Sequence, residues 1–107
     1  MGDASDEVKA TLECSSAPGA TLSVGNGDIV GREGDVDLTG LKDAEYLSRR
    51  HARFHLRKGV WFVENLSTKS FTYVNGVQVE AGTEVEIKTG DRVTLGIIRC
   101  TFREPRD

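Results

Sequence analysis

Residues 48–66 read SRRHARFHLRKGVWFVENL, and two properties of that stretch decide the fold. From Ala52 onward apolar and basic residues alternate: Ala52, Phe54 and Leu56 against Arg53, His55 and Arg57. A period of two is the mark of a strand with one buried and one wet face, as an antiparallel sheet requires. Lys58-Gly59 then interrupts the run as a turn signal before a second apolar segment, VWFVENL. Trp61, Phe62 and Val63 are expected in the core, with one of them near the sheet surface.

The same alternation recurs on both sides of this stretch. Val8, Ala10, Leu12 and Cys14 share one parity, as do Val85 and Ile87, then Val93, Leu95 and Ile97, then Ile98, Cys100 and Phe102. Cys14 and Cys100 are therefore expected as buried thiols. Asn75-Gly76 between TYV and VQV is the strongest short-range hairpin signal, because both residues tolerate positive φ. Asn26-Gly27 and Gly90-Asp91 punctuate elsewhere, and no window carries a helical period. Short strands at this spacing imply an all-β, two-sheet antiparallel β-sandwich over residues 7–103. An acidic, disordered N-terminus is expected at 1–6 and a frayed C-terminus at 104–107. The segment 33–47, EGDVDLTGLKDAEYL, reads as a long loop, and such loops in compact domains are more often functional than idle.

The chain has 107 residues, enough for one modest core. Its net charge of −3 argues against nucleic acid as a partner, since a basic footprint carries most of that affinity. A stripe of Arg53, His55, Arg57 and Lys58 exists, but on one strand and without interleaved aromatics. Two cysteines without a C-x-x-C pairing and two histidines give no zinc pattern, so neither a metal nor another cofactor is expected. MGDASDEVKA lacks the features of a signal peptide, and no run approaches a membrane span. The expectation is a cytoplasmic protein with reduced thiols, no membrane partner, and a monomeric isolated domain; a disulfide is the alternative for the two cysteines, since the first and last strands of a sandwich can be neighbours.

Against that acidic background, donors gather at two places. Gly31-Arg32 follows the short apolar run DIV, and Ser48-Arg49-Arg50-His51 opens the strand quoted above. A phosphate monoester carries about −1.5 to −2 charges and three strong acceptor oxygens, so binding it needs several converging donors. Arg32 can offer a planar fork, Ser48 a hydroxyl and Arg49 a second guanidinium.

The order GR, SRRHA, VNG and then GD-x-V-x-LG resembles a forkhead-associated (FHA) domain, from about Leu22 to Phe102. The resemblance implies a β-sandwich that binds phosphothreonine-containing proteins or peptides through loops at one end. It implies that Arg32 and Ser48 hold the phosphate with Arg49 assisting, and that Thr68, Lys69, Ser70 and Asn75 contact the peptide. Gly31, His51 and Gly76 fall at scaffold positions, His51 tying the loops together. The family often carries N-S-T-N-G-T before the VNG strand, whereas this chain has Ser67-Thr68-Lys69-Ser70-Phe71-Thr72. Ser70 stands in place of an asparagine and Phe71 in place of a glycine, and Lys69 brings a charge. The 33–47 and 67–72 loops are expected to set sequence preference.

Two other functions fit parts of the pattern. Ser48 and His51 with Asp35 or Asp37 could form a nucleophile, base and orienter, although no G-x-S-x-G elbow is present. A phosphate-independent interaction module could use the same loops on an unmodified partner.

Overall fold

The computed structural model describes residues 9–15, 20–39, 41 and 43–105. Within them the chain forms ten strands and one short 3-10 turn, Ala44–Tyr46. The strands are β1 (Lys9–Cys14), β2 (Ala20–Gly25), β3 (Ile29–Val30), β4 (Ala52–Arg57), β5 (Val60–Asn65), β6 (Thr72–Val74), β7 (Val77–Val79), β8 (Glu84–Ile87), β9 (Arg92–Leu95) and β10 (Ile98–Arg103). They make a six-stranded sheet, β2-β1-β10-β9-β6-β7, and a four-stranded sheet, β3-β4-β5-β8, with every described pairing antiparallel. The all-β sandwich expected from the alternation is the observed fold.

The alternation is explained by what each parity meets. Ala52 and Phe54 of β4 and Trp61 and Val63 of β5 point inward and are buried, while Phe62 lies on the outer face beneath the Arg57 guanidinium. Phe102 crosses from the larger sheet to stack on Phe54 with ring centroids 6.2 Å apart, and Trp61 meets it edge-on at 5.8 Å. Three aromatic rings thus lock the two sheets face to face, each contributing roughly 1.5–3 kcal/mol through burial. Cys14 and Cys100 lie directly opposite each other on β1 and β10, both buried and both free thiols.

Two-residue turns fix the strand register. Lys58 and Gly59 (φ 53° and 80°) and Asn75 and Gly76 (φ 52° and 85°) are both left-handed, the geometry of type I′ hairpins whose twist matches their strands.

The structure corrects the sequence reading in two places. Ile97 does not continue the inward row of Val93 and Leu95: Gly96 turns the chain at φ 63° and leaves Ile97 exposed before β10 begins. Glu104 is not frayed, because its N–H donates to Thr89 Oγ1 (2.8 Å) while its carboxylate accepts from Thr89 N–H (3.2 Å). The 33–47 segment is the long loop expected, with one 3-10 turn among its described residues, and it packs Val36, Leu41 and Leu47 into the core. Residues 1–6, Val8 and residues 106–107 lie outside the described residues. No helix among the described residues is long and apolar enough to cross a membrane.

Candidate phosphate-binding site

β3 ends at Val30, and the chain then runs alongside the segment that leads into β4. His51 N–H donates to Val30 C=O (2.9 Å), Arg32 N–H to Ser48 C=O (3.1 Å) and Glu33 N–H to Arg49 C=O (2.9 Å). Gly31 makes this approach possible. A Cβ there would sit 2.8 Å from the Ser48 carbonyl oxygen and closer still to that of Arg49, below any real carbon–oxygen contact. The Gly-Arg dipeptide therefore seats Arg32 against Ser48. The Arg32 side chain is fixed in turn, because its Nε–H donates to Leu47 C=O at 2.8 Å. The terminal nitrogens remain to serve an anion.

Ser48 meets a residue that the sequence reading overlooked. Its Oγ lies 2.6 Å from Ser67 Oγ, and Ser67 is buried. Ser67 Oγ also accepts the N–H groups of Lys69 (3.2 Å) and Ser70 (2.8 Å). A hydroxyl has two acceptor sites and one proton. With both acceptor sites occupied, Ser67 directs its proton to Ser48 Oγ, and the Ser48 proton is left to donate elsewhere. Asn65 holds Ser67 in place: its Oδ1 accepts from Ser67 N–H (3.0 Å) and Thr72 Oγ1 (3.0 Å), and its Nδ2 donates to Val79 C=O (2.9 Å). The clue in the sequence was local, a serine spaced to bond the backbone two and three residues on.

His51 ties the two loops together. It is fully buried; its Nδ1 accepts from Ser48 N–H (3.2 Å) and its Nε2 faces Phe71 C=O (3.1 Å). A ring nitrogen that accepts carries no proton, so the proton is on Nε2 and the ring is neutral. Burial pushes its pKa below the usual value, partly countered by the Phe71 carbonyl. Neither ring nitrogen is free to take a proton from Ser48 Oγ. Asp35 is engaged with Ile29 N–H (2.9 Å) and Asp37 with Thr39 (2.9 and 2.6 Å), so Ser48, His51 and these aspartates do not assemble as a triad.

Arg32, Ser48, Arg49, Arg50, Leu66, Ser67, Thr68 and Lys69 line one concavity of about 430 Å³. Arg32, Ser48, Arg49, Thr68 and Lys69, singled out from the sequence, are thus brought together, and Arg50 and Ser67 join them. Glu33 approaches Arg49 at 3.7 Å, with both side chains about two-thirds exposed (70% and 66%).

Other expected residues lie elsewhere. Ser70 sits at the edge, its Oγ donating to Tyr46 C=O (3.4 Å). Phe71 is exposed, as are Tyr46 and Ile97, at 53%, 54% and 56%. Phe71 C=O accepts from Gly96 N–H at 2.8 Å, which brings the two loops edge to edge. Asn75 and Gly76 are separated from the concavity by the length of β6. Asn75 instead pins its hairpin to the start of β9, accepting from Arg92 N–H (3.0 Å) and donating to Asp91 Oδ1 (3.2 Å). The Asn-Gly turn thus stands at the other end of the three-residue strand β6 from the 67–72 loop. The basic stripe that starts on β4 is only partly paired: His55 Nε2 meets Glu64 Oε1 at 2.9 Å and Arg57 pairs with Glu84, whereas Arg53 and Lys58 have no ion pair among the described residues.

Comparison with known proteins adds a family. The FHA domain model matches residues 29–96. FhaB of Mycolicibacterium smegmatis, an FHA domain-containing protein, is 34% identical over 79 residues, covering 73% of this chain and 48% of that protein. FraH of Nostoc sp. is 32% identical over 62 residues, covering 58% of this chain and 22% of that protein. The chain thus spans about half or less of the curated relatives it matches. A structure solved in work on phosphothreonine-dependent FHA domain interactions aligns with a TM-score of 0.72 at 29% identity, covering 92% of this chain and 99% of that one. The FhaA FHA domain, solved in complex with the intracellular domain of Rv3910, aligns at 0.70 with 28% identity, covering 88% and 99%.

Proposed function

The chain belongs to the FHA domain family, and from that premise we propose that it reads phosphothreonine on partner proteins through the loops at one end of its sandwich. The observation that carries this reading is the concavity itself. In a chain of net charge −3, Arg32, Arg49, Arg50 and Lys69 converge around the hydroxyl of Ser48. In the proposed complex Arg32 and Ser48 hold the phosphate, Arg49 assists, and Thr68 and Lys69 meet the peptide beside it. Charge-assisted hydrogen bonds contribute about 1.5–3 kcal/mol each before desolvation and peptide ordering are subtracted. A few of them suit micromolar affinity, about −8 kcal/mol, which is reversible enough for a phosphorylation readout. In this reading the role is binding and the compartment is the cytoplasm, where the facing Cys14 and Cys100 would stay reduced.

The loops that would meet the rest of the peptide differ from the family's common pattern. Ser70 and Phe71 replace an amide and a glycine, and Phe71 with Tyr46 and Ile97 places apolar surface next to the charged pocket. A phosphothreonine peptide library with unphosphorylated counterparts tests the reading. Phosphate-dependent retention is expected. Equal retention of both sets would favour a phosphate-independent module on the same loops and overturn the proposal.

A further inference from the structure

Cys14 and Cys100 face each other across neighbouring strands of the larger sheet, and phosphate binding uses neither. They stand 86 positions apart in the sequence. The next pair along the ladder is joined by a backbone bond, Ser15 N–H donating to Arg99 C=O at 2.9 Å. In an antiparallel ladder such pairs alternate with pairs that exchange no backbone bonds and whose Cα atoms stand about 4.5 Å apart. Cys14 and Cys100 are a pair of the second kind, and a disulfide accepts Cα separations of about 4.4–6.8 Å. Both side chains turn into the core, which brings their Sγ atoms to 2.8 Å. The bonded separation is about 2.05 Å. The chain has no third cysteine to compete.

We propose that Cys14 and Cys100 are a site of reversible oxidation, at which a hydroperoxide converts the two facing thiols into a disulfide that ties β1 to β10. The inference is independent of the phosphothreonine reading. Cys14 is the sulfur that reacts first. The Cys100 thiol donates to it and holds its pKa below the ordinary value against the effect of burial, while Cys100 is pushed up. The Cys14 thiolate attacks one peroxide oxygen and the O–O bond breaks. A sulfenic acid forms, and the departing oxygen takes up the proton that Cys14 gave up. The Cys100 sulfur then attacks the Cys14 sulfur, and the displaced hydroxyl leaves as water with the Cys100 proton. Each sulfur loses one electron and each peroxide oxygen gains one. With hydrogen peroxide, two thiols and one peroxide give one disulfide and two waters. Both thiols are buried, so the oxidant has to be small. Cys14 is the last residue of β1, and strand ends open at lower free energy than strand centres.

The test treats the folded, unsubstituted protein with hydrogen peroxide. Free thiols are then counted in denaturant, and thermal unfolding is followed before and after dithiothreitol. Both thiols are expected to disappear while the chain stays monomeric. The unfolding midpoint should rise by about 10 °C, because the link closes a long loop in the unfolded chain, and dithiothreitol should reverse both changes. Cys14→Ala and Cys100→Ala should each abolish the rise. The unsubstituted protein carries the test, so a variant that fails to fold does not leave it undecided. Two thiols still free after peroxide would overturn the proposal, as would thiols oxidised separately without a link, or a link between two molecules. A link within the chain that leaves the midpoint unchanged or lower would overturn it too, since the native positions would then have to be distorted to join.

Discussion

The hydroxyl oxygens of Ser48 and Ser67 lie 2.6 Å apart, although 19 residues separate them in the chain. Ser67 accepts two backbone N–H groups of its own loop, so its proton goes to Ser48 and the Ser48 proton is released toward the pocket. One serine thus sets the direction in which the other donates.

Ser67→Ala should therefore weaken phosphopeptide binding although Ser67 need not touch the phosphate. It frees two loop N–H groups as well as the Ser48 oxygen. An affinity loss of about tenfold is expected, together with a stability loss of about 1–3 kcal/mol from unsatisfied buried groups. Titration calorimetry and urea unfolding of the same variant measure both. Parent-like affinity would show that the Ser48 proton is oriented by something else.

Gly31→Ala should damage both fold and site. The added methyl would meet the backbone of Ser48 and Arg49, which is not free to swing aside as a side chain would. Overpacking of this kind costs about 1–3 kcal/mol. The strain would separate Arg32 from Ser48. A lowered unfolding midpoint with lost phosphopeptide binding is the expected pair of results, and an unchanged midpoint would mean that the loops are not held as close as described.

His51 makes stability fall on acidification. Its pKa in the folded state is depressed below the ordinary 6.5, chiefly by burial. Below pH 6.5 the unfolded chain takes up a proton that the folded chain refuses, so folding weakens until the folded pKa is reached. Above that range this residue contributes no pH dependence. The slope attributable to His51 is at most about 1.4 kcal/mol per pH unit. Unfolding curves from neutral to mildly acidic pH should show the loss, and His51→Gln should flatten it at the expense of overall stability. A His51→Gln profile as steep as the parent's would assign the effect to other groups.

Much of the fold could be read from the sequence because its local signals agree with its packing. Period-two runs became strands with the expected inner rows, and the Lys58-Gly59 and Asn75-Gly76 pairs became tight turns between them. Gly31, Arg32, Ser48 and His51 could be singled out because GR, SRRHA, VNG and GD-x-V-x-LG follow one another in that order, although neither G-R nor S-x-x-H is specific alone. Ser67 was not, because a serine in a polar loop is common and its importance lies in a partner distant in the chain. Arg50 precedes Ala52, where β4 and its regular alternation begin, so no period-two count could place it. That Asn75 stands one short strand away from the concavity was not legible either, because motif order does not say which end of a strand a turn occupies. Ile97 was placed inward because a period-two count passes through Gly96 without registering its positive φ.

The most direct test of the phosphate site is the affinity of Arg32 variants for a phosphothreonine peptide, measured by calorimetry beside an unfolding curve for each. Arg32→Ala removes the fork, and Arg32→Lys keeps the charge but loses both the fork and the Nε–H bond to Leu47. The account predicts a loss of about 100-fold or more for alanine and an intermediate loss for lysine, with cooperative unfolding retained in both. Folded variants that bind the phosphopeptide as tightly as the parent would contradict it.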